Sequence, residues 1–216
     1  MTDIIREPGS ALTHFAGVIA SAAVAFPLMF RALLTGDRRA VIATAVFTSC
    51  MFLLYTASTL YHSVCVKDRT LRIFRKIDHM MIFVMIAGCY TPFCLLVLDV
   101  TKGRIMLAAV WILALAGMIT KGVWITCPKW FSSVIYILME WICVFVFGDL
   151  VRLLPHQVFL WLLAGGIIYT AGGIIYACRI PLFPPRKFFG NHELFHVFML
   201  AGSLCHFMAM YTLLAG

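Results

Sequence analysis

Charge is what this sequence has least of. Asp, Glu, Lys and Arg together make up 12% of its 216 residues, while hydrophobic residues make up 63%. A soluble domain is about 25% charged and about 45–50% apolar. So few charges cannot cover a water-exposed surface, which excludes an ordinary soluble domain. Paired cysteines are missing too. The eight cysteines lie at positions 50, 65, 89, 94, 127, 143, 178 and 205, and none forms a CxxC pair. Most fall in apolar stretches, where cysteine acts as a small hydrophobe, so neither a disulfide framework nor a thiolate metal site is expected. Alternation of polar and apolar residues is also absent. A transmembrane barrel needs it over segments of about 10 residues, so a barrel is excluded.

What the chain has in abundance is long uncharged runs. Stretches of about 18 or more such residues read as membrane spans. Residues 8–30, 40–66, 79–98, 153–178 and 194–216 contain no Asp, Glu, Lys or Arg. Two further runs are weaker. Residues 105–120 are flanked by Arg104 and Lys121, whose stems can snorkel to the membrane surface. Residues 130–148 are interrupted only by Glu140. Helices close their own backbone hydrogen bonds in lipid. The expectation is therefore an all-α integral membrane protein, one seven-helix domain over residues 1–216. Its spans are expected near 10–33, 40–65, 77–98, 104–122, 130–149, 156–178 and 192–214. The first run is too long for a signal-peptide core and reads as a retained helix.

Seven spans place the termini on opposite sides of the membrane. One side carries Arg6, Lys67, Arg69, Arg72, Arg75, Lys76, Lys121, Lys129, Arg179, Arg186 and Lys187; the other carries Arg31, Arg38, Arg39, Lys102, Arg104 and Arg152. Eleven against six, by the positive-inside rule, predicts a cytoplasmic N-terminus and an external C-terminus in a cell membrane. The net charge of +8 is then explained by topology and anionic headgroups. It calls for no nucleic-acid partner. An echo, Gly165-Gly166-Ile-Ile-Tyr169 and Gly172-Gly173-Ile-Ile-Tyr176, returns glycines to nearly one helix face and reads as a packing seam.

Ionisable residues within spans are expensive in lipid and mark function by default. Here they are few. His14 lies in span one, Ser58 and His62 end span two, and Asp78 and His79 open span three. Glu140 lies in span five; His192, Glu193, His196 and His206 lie in span seven. The topology brings His14, Ser58, His62, Asp78, His192 and His196 to the same leaflet. His192 and His196 are i and i+4, on one helical face about 6 Å apart along the axis. Ser58 and His62 share that spacing. Three imidazoles with an open fourth position describe a catalytic zinc site, and a nearby carboxylate such as Asp78 can serve the metal's water. A hydrogen-bonded cluster that rigidifies the bundle, or a proton relay, would use the same residues.

The remaining polar residues are given structural roles. His206 lies about 15 Å deeper than His196 and is expected to bond a neighbouring helix. His79 points about 100° away from Asp78 and is not expected to share its role. His14 leans to structure. Glu193 is expected to favour the N-terminus of its helix. Glu140, near mid-membrane, must be protonated, paired or in a wet cavity. Pro92 is expected to kink span three.

The segments Ser58-Thr-Leu-Tyr-His62, Lys76-Ile-Asp78-His79, Gly88-Cys-Tyr-Thr-Pro92-Phe93 and His192-Glu-Leu-Phe-His196-Val-Phe-Met-Leu-Ala-Gly-Ser-Leu-Cys-His206-Phe make the chain recognisable. It resembles, over essentially its whole length, the hemolysin III family, the bacterial branch of the progestin and adipoQ receptor superfamily. The resemblance implies a seven-helix bundle with an inside N-terminus and zinc near the cytoplasmic leaflet. By that analogy His62, His192 and His196 hold the zinc, Asp78 orients its water, and Ser58 lies beside the site. Two features depart from the family pattern. Glu140 stands where a small residue is usual, and the loop from Arg179 to Asn191 is longer, with three prolines. The activity expected first is zinc-dependent hydrolysis of an amide or ester bond in a membrane lipid, as superfamily relatives suggest for ceramides. A non-enzymatic sensor or regulator of lipid state, with structural zinc, is the alternative. A cytolytic pore, after the family name, is disfavoured because a secreted pore former needs a soluble state.

The charge asymmetry makes a direct prediction. A reporter fused after Gly216 should read as external, and one inserted between Lys67 and Lys76 as cytoplasmic; the reverse pattern overturns the leaflet assignment.

Overall fold

The computed structural model describes residues 5–180, 184 and 189–215. Arg186 and Lys187 of the charge count, Pro181 and Pro185 of the long loop, and Gly216 lie outside the described residues. Eight α-helices follow in order: α1 (Pro8–Leu34), α2 (Arg38–Ser63), α3 (Asp68–Leu96), α4 (Val100–Val123), α5 (Lys129–Glu140), α6 (Phe147–Leu153), α7 (His156–Cys178) and α8 (Asn191–Leu213). A 3₁₀ segment, Trp141–Val146, joins α5 to α6. Counting Lys129–Leu153 as one crossing, seven described helices are long and apolar enough to span a membrane. The described residues contain no strand.

The bundle is inside-out relative to a soluble protein. Large apolar side chains such as Leu12, Phe26, Val123 and Phe145 face outward. His14, Thr44, Ser58, His62, Asp78, His196 and His206 are buried. That is the distribution lipid selects, because polar groups are costly against hydrocarbon. Each of α1 to α4 packs on the next, α5 packs on α7, and α8 packs on both α7 and α1, closing the ring. One apolar core, around Phe47, Leu54, Tyr55 and Met85, lies among α1, α2, α3 and α8. A second, around Phe83, Phe93, Val110 and Val158, lies among α3, α4 and the α5–α7 region.

Local chemistry sets several helix ends. Pro8 opens α1, where its missing N–H costs nothing. Asp37 caps α2 by accepting from Arg39 N at 2.8 Å. The turn before it needs Gly36, whose φ is 66°. Asp99 caps α4 by accepting from the backbone of Thr101 and Lys102. Glu193 closes its own helix start, accepting from Gly190 N at 2.8 Å, as its position at the helix N-terminus leads one to expect.

Three expectations need correction. The stretch from Lys67 to Lys76 is not a loop: α3 starts at Asp68, leaving only Val64–Lys67 as linker. Its first turns are helical but charged, so hydropathy alone cannot see them. Span five is not one continuous helix, because the ladder tightens to 3₁₀ directly after Glu140. Tyr90 of α3 serves the broken ladder: its hydroxyl bonds to the Glu140 carbonyl and accepts from Cys143 N at 3.0 Å. Lys121 does not snorkel. It is 3% exposed and bonds Ser132 Oγ and Cys127 Sγ, the latter at 3.1 Å.

The glycine echo is a packing seam. A Cβ on Gly172 would stand 2.6 Å from Phe198 Cβ, and one on Gly165 3.0 Å from the His206 ring. From the other helix, Gly202 admits the Tyr169 ring. Gly172→Leu should therefore cost about 1–3 kcal/mol, the usual penalty of overpacking, read as a lower unfolding midpoint in mild detergent. Gly148→Ala, where nothing lies within 4 Å, should leave the midpoint unchanged or slightly raised. Equal behaviour of the two variants would refute the seam.

Candidate metal centre

The first three and the last of the spans meet at one end of the bundle. There α2 ends with His62, α8 begins with His192, and His196 follows one turn on. One nitrogen from each of these rings lies within 4.8 Å of the others, close enough to hold a single metal ion. His62 Nε2 and His192 Nε2 are 3.2 Å apart. Two nitrogens each about 2.0–2.1 Å from one tetrahedral zinc would lie about 3.3 Å apart, so the His62–His192 pair already has the spacing of that ion.

The surroundings fix the rings. His62 Nδ1 bonds to the Glu7 carboxylate, which also takes Arg6 at 3.2 Å. That bond holds the Glu7 carboxyl below its ordinary range. With Nδ1 committed to Glu7, His62 presents Nε2 as a lone pair toward His192. The facing nitrogens are then satisfied either by a proton on His192 Nε2 or by a cation shared between the rings. His196 Nδ1 meets Thr13 Oγ1 at 3.0 Å. Thr13 in turn reaches the Gly9 and Ser10 carbonyls at 3.0 and 2.9 Å, so its oxygen accepts from His196 and frees His196 Nε2. Partners of this kind, bonding the non-ligating nitrogen, orient metal-bound histidines and raise their basicity.

The N-terminal segment acts as the clasp of the site. Glu7 N bonds the His62 carbonyl at 3.0 Å. Arg6 donates to the Tyr61 carbonyl at 2.7 Å and lies over the Tyr61 ring. Ser10 bonds Glu193, tying α1 to the first turn of α8. Neither Glu7 nor Thr13 stands out in the sequence. Glu7 had one readable signal, a carboxylate just before the first span, on the side where His62 ends the second. Thr13 had none.

A cavity of about 1090 Å³ opens beside the three rings. It is lined by Ser58 and Asp78, both buried, together with His14, His79, His192 and His196. The same cavity thus collects every residue singled out for this leaflet except His62, which stands behind His192. His79 is closer to Asp78 than its 100° offset suggests. Its Nδ1 lies 3.3 Å from Asp78 Oδ2 and 2.9 Å from the Arg75 carbonyl, because the ring folds back toward the preceding turn. His14 stacks on His196, with ring centroids 3.5 Å apart, and neither of its nitrogens has a hydrogen bond among the described residues. His206 is far from this group. It stacks on Tyr169 of α7, but its Nδ1 has no hydrogen-bond partner. The contact to the neighbouring helix is thus a ring face rather than the expected hydrogen bond.

Comparison with known proteins places this geometry in a lineage. A family model described as Haemolysin-III related matches residues 2–207. The chain belongs to the Haemolysin-III family. Among its relatives, Hemolysin-3 of Bacillus cereus is 36% identical over 212 residues, covering 97% of this chain and 93% of the relative. A Hemolysin-3 homolog of Bacillus subtilis (strain 168) is 35% identical over 211 residues, covering 97% and 95%. No solved structure matches the chain. Family membership and seven apolar helices make this a multi-pass cell-membrane protein.

The clasp yields a test. Glu7→Gln should weaken zinc binding about 10–100-fold, the usual loss when a histidine ligand's carboxylate partner is removed. Competition against a chelator of known affinity measures it. Unchanged affinity would show that Glu7 braces the helix end and not the ligand.

Proposed function

We propose that this Haemolysin-III protein is a zinc-dependent hydrolase of lipid amide or ester bonds, working from the cytoplasmic leaflet. The supporting observation is the meeting, in one cavity wall, of His192 and His196, two of the three grouped histidines, with the buried Asp78 and Ser58. A purely structural cluster has no use for a cavity at its side. Zinc, when bound, polarises a carbonyl and makes water acidic enough to react near neutral pH.

The chain supplies the rest. His62, His192 and His196 hold the ion, with Glu7 and Thr13 holding two of the rings. Asp78 accepts a proton from the attacking water and returns it to the leaving group. His79, against Asp78 Oδ2, keeps that carboxylate in place. Ser58 offers its hydroxyl to the substrate's polar atoms at the cavity wall. The apolar lining, with Leu54, Ile82 and Phe195, receives an acyl chain and keeps bulk water out. The relatives' name speaks of lysis, but a buried three-histidine group beside a carboxylate is chemical machinery rather than a pore lining.

Purified protein should carry about one zinc per chain, and His192→Ala with His196→Ala should strip it. Asp78→Asn should keep the zinc, because the three imidazoles are intact, and lose lipid-amide turnover by roughly 10²–10⁴-fold, the contribution of a positioned acid or base. His62→Ala should lose both. Metal content and turnover are measured on the same preparations. Full zinc with no turnover of any lipid in a broad panel would exclude the hydrolase and leave zinc a structural role in a lipid sensor.

A further inference from the structure

A second cavity, of about 840 Å³, occupies the opposite half of the bundle. Its wall is apolar, built from side chains such as Phe93, Leu98, Met106 and Leu162. Two buried polar atoms are out of place there. Among the described residues, Glu140 Oε1 and His206 Nδ1 have no hydrogen-bond partner, although both residues line the cavity. Glu140 Oε2 has only Thr170, at 3.5 Å. His206 is 7% exposed. No Lys or Arg lines this cavity. Gly165 makes room for the His206 ring: a Cβ there would stand 3.0 Å from His206 Nε2.

A buried carboxylate oxygen and an imidazole nitrogen left unpaired cost free energy, roughly 1–3 kcal/mol for each group by protein mutational data. The cost is removed by a guest that donates hydrogen bonds to them. A carboxylate head brings acceptors only and meets neither need, and among the described residues no Lys or Arg lines the wall to hold it. The apolar remainder of the lining, with Phe93, Leu98, Met106 and Leu162, suits one hydrocarbon chain.

We propose that this cavity is a binding site for a single-chain lipid whose head donates hydrogen bonds and carries no negative charge, with Glu140 and His206 as the residues that read the head. The site is separate from the metal centre. His206 lies ten residues, about 15 Å, along α8 from His196. Glu140 and Tyr169 stand in the wall between the two cavities and line both.

The test uses the full chain in lipid nanodiscs, with 1-monooleoylglycerol and oleate as probes. Trp141 lines the cavity and donates to Thr170 Oγ1 at 2.8 Å, so tryptophan fluorescence reports occupancy. Monooleoylglycerol should give saturable quenching or a saturable shift, and oleate should bind about tenfold or more weakly. Glu140→Gln keeps the shape and adds an amide donor that a carboxylate head can use, so it should abolish that discrimination. Leu162→Trp should fill the cavity and abolish the response to both probes. Zinc content serves as the folding control for each variant. Equal binding of the two lipids by the wild type, discrimination that survives Glu140→Gln, or a response that survives Leu162→Trp in zinc-loaded protein would each overturn the proposal.

Discussion

The bilayer offers no hydrogen bonds, and this protein is organised around that absence. Every backbone and side-chain polar group at membrane depth must find its partner inside the bundle. The consequence is visible in the distribution of residues. Apolar side chains face outward, and polar ones gather inside, where several contacts tie two helices together. Tyr55 of α2 and Tyr169 of α7 meet on Ser203 of α8, at 2.6 and 2.8 Å. Trp111 of α4 donates to Thr91 of α3. Such bonds are modest one by one, about 0.6 kcal/mol on average in a membrane. They fix register, because each is made in only one arrangement of the helices.

The three-histidine cluster, the candidate metal centre, follows from the same constraint. Three imidazoles at the end of a membrane bundle would be an expense if left to one another. Here each of two rings spends one nitrogen on a partner from the N-terminal segment, Glu7 or Thr13, and keeps the other for the shared centre. The clasp formed by Arg6, Glu7 and Ser10 is therefore part of the site and not a tail beside it. It also explains why α1, which exposes so much of its surface outward, is held against α2 and α8 at this end.

Much of this is legible in the sequence because lipid imposes long-period signals. Uncharged runs locate the seven crossings, and the i, i+4 pair His192 and His196 announces a shared face. What hydropathy misses is charged helix. The first turns of α3, with Arg69, Arg72 and Arg75, look like a loop because a solvated helix and a solvated loop have the same composition. Contacts between helices distant in sequence are the other blind spot. Glu7 lies 55 residues from His62, and no local pattern predicts that pairing; only sidedness narrows it. The burial of Lys121 escapes the sequence for a related reason. Its snorkelling depends on whether a neighbour such as Ser132 waits inside the bundle, which is a tertiary fact.

Glu140 shows how a single local break can position chemistry. The ladder tightens to 3₁₀ from Trp141 to Val146, and at its start one hydroxyl, that of Tyr90, donates to the Glu140 carbonyl and accepts from the Cys143 amide. Tight turns of this kind within a helix often mark function. The break places Glu140 in the wall shared by two cavities, and α7 meets it with Gly166 in place of a side chain. A carboxylate at this depth needs a partner, and the bundle supplies only Thr170. The unspent oxygen is thus not a packing defect that the fold failed to repair.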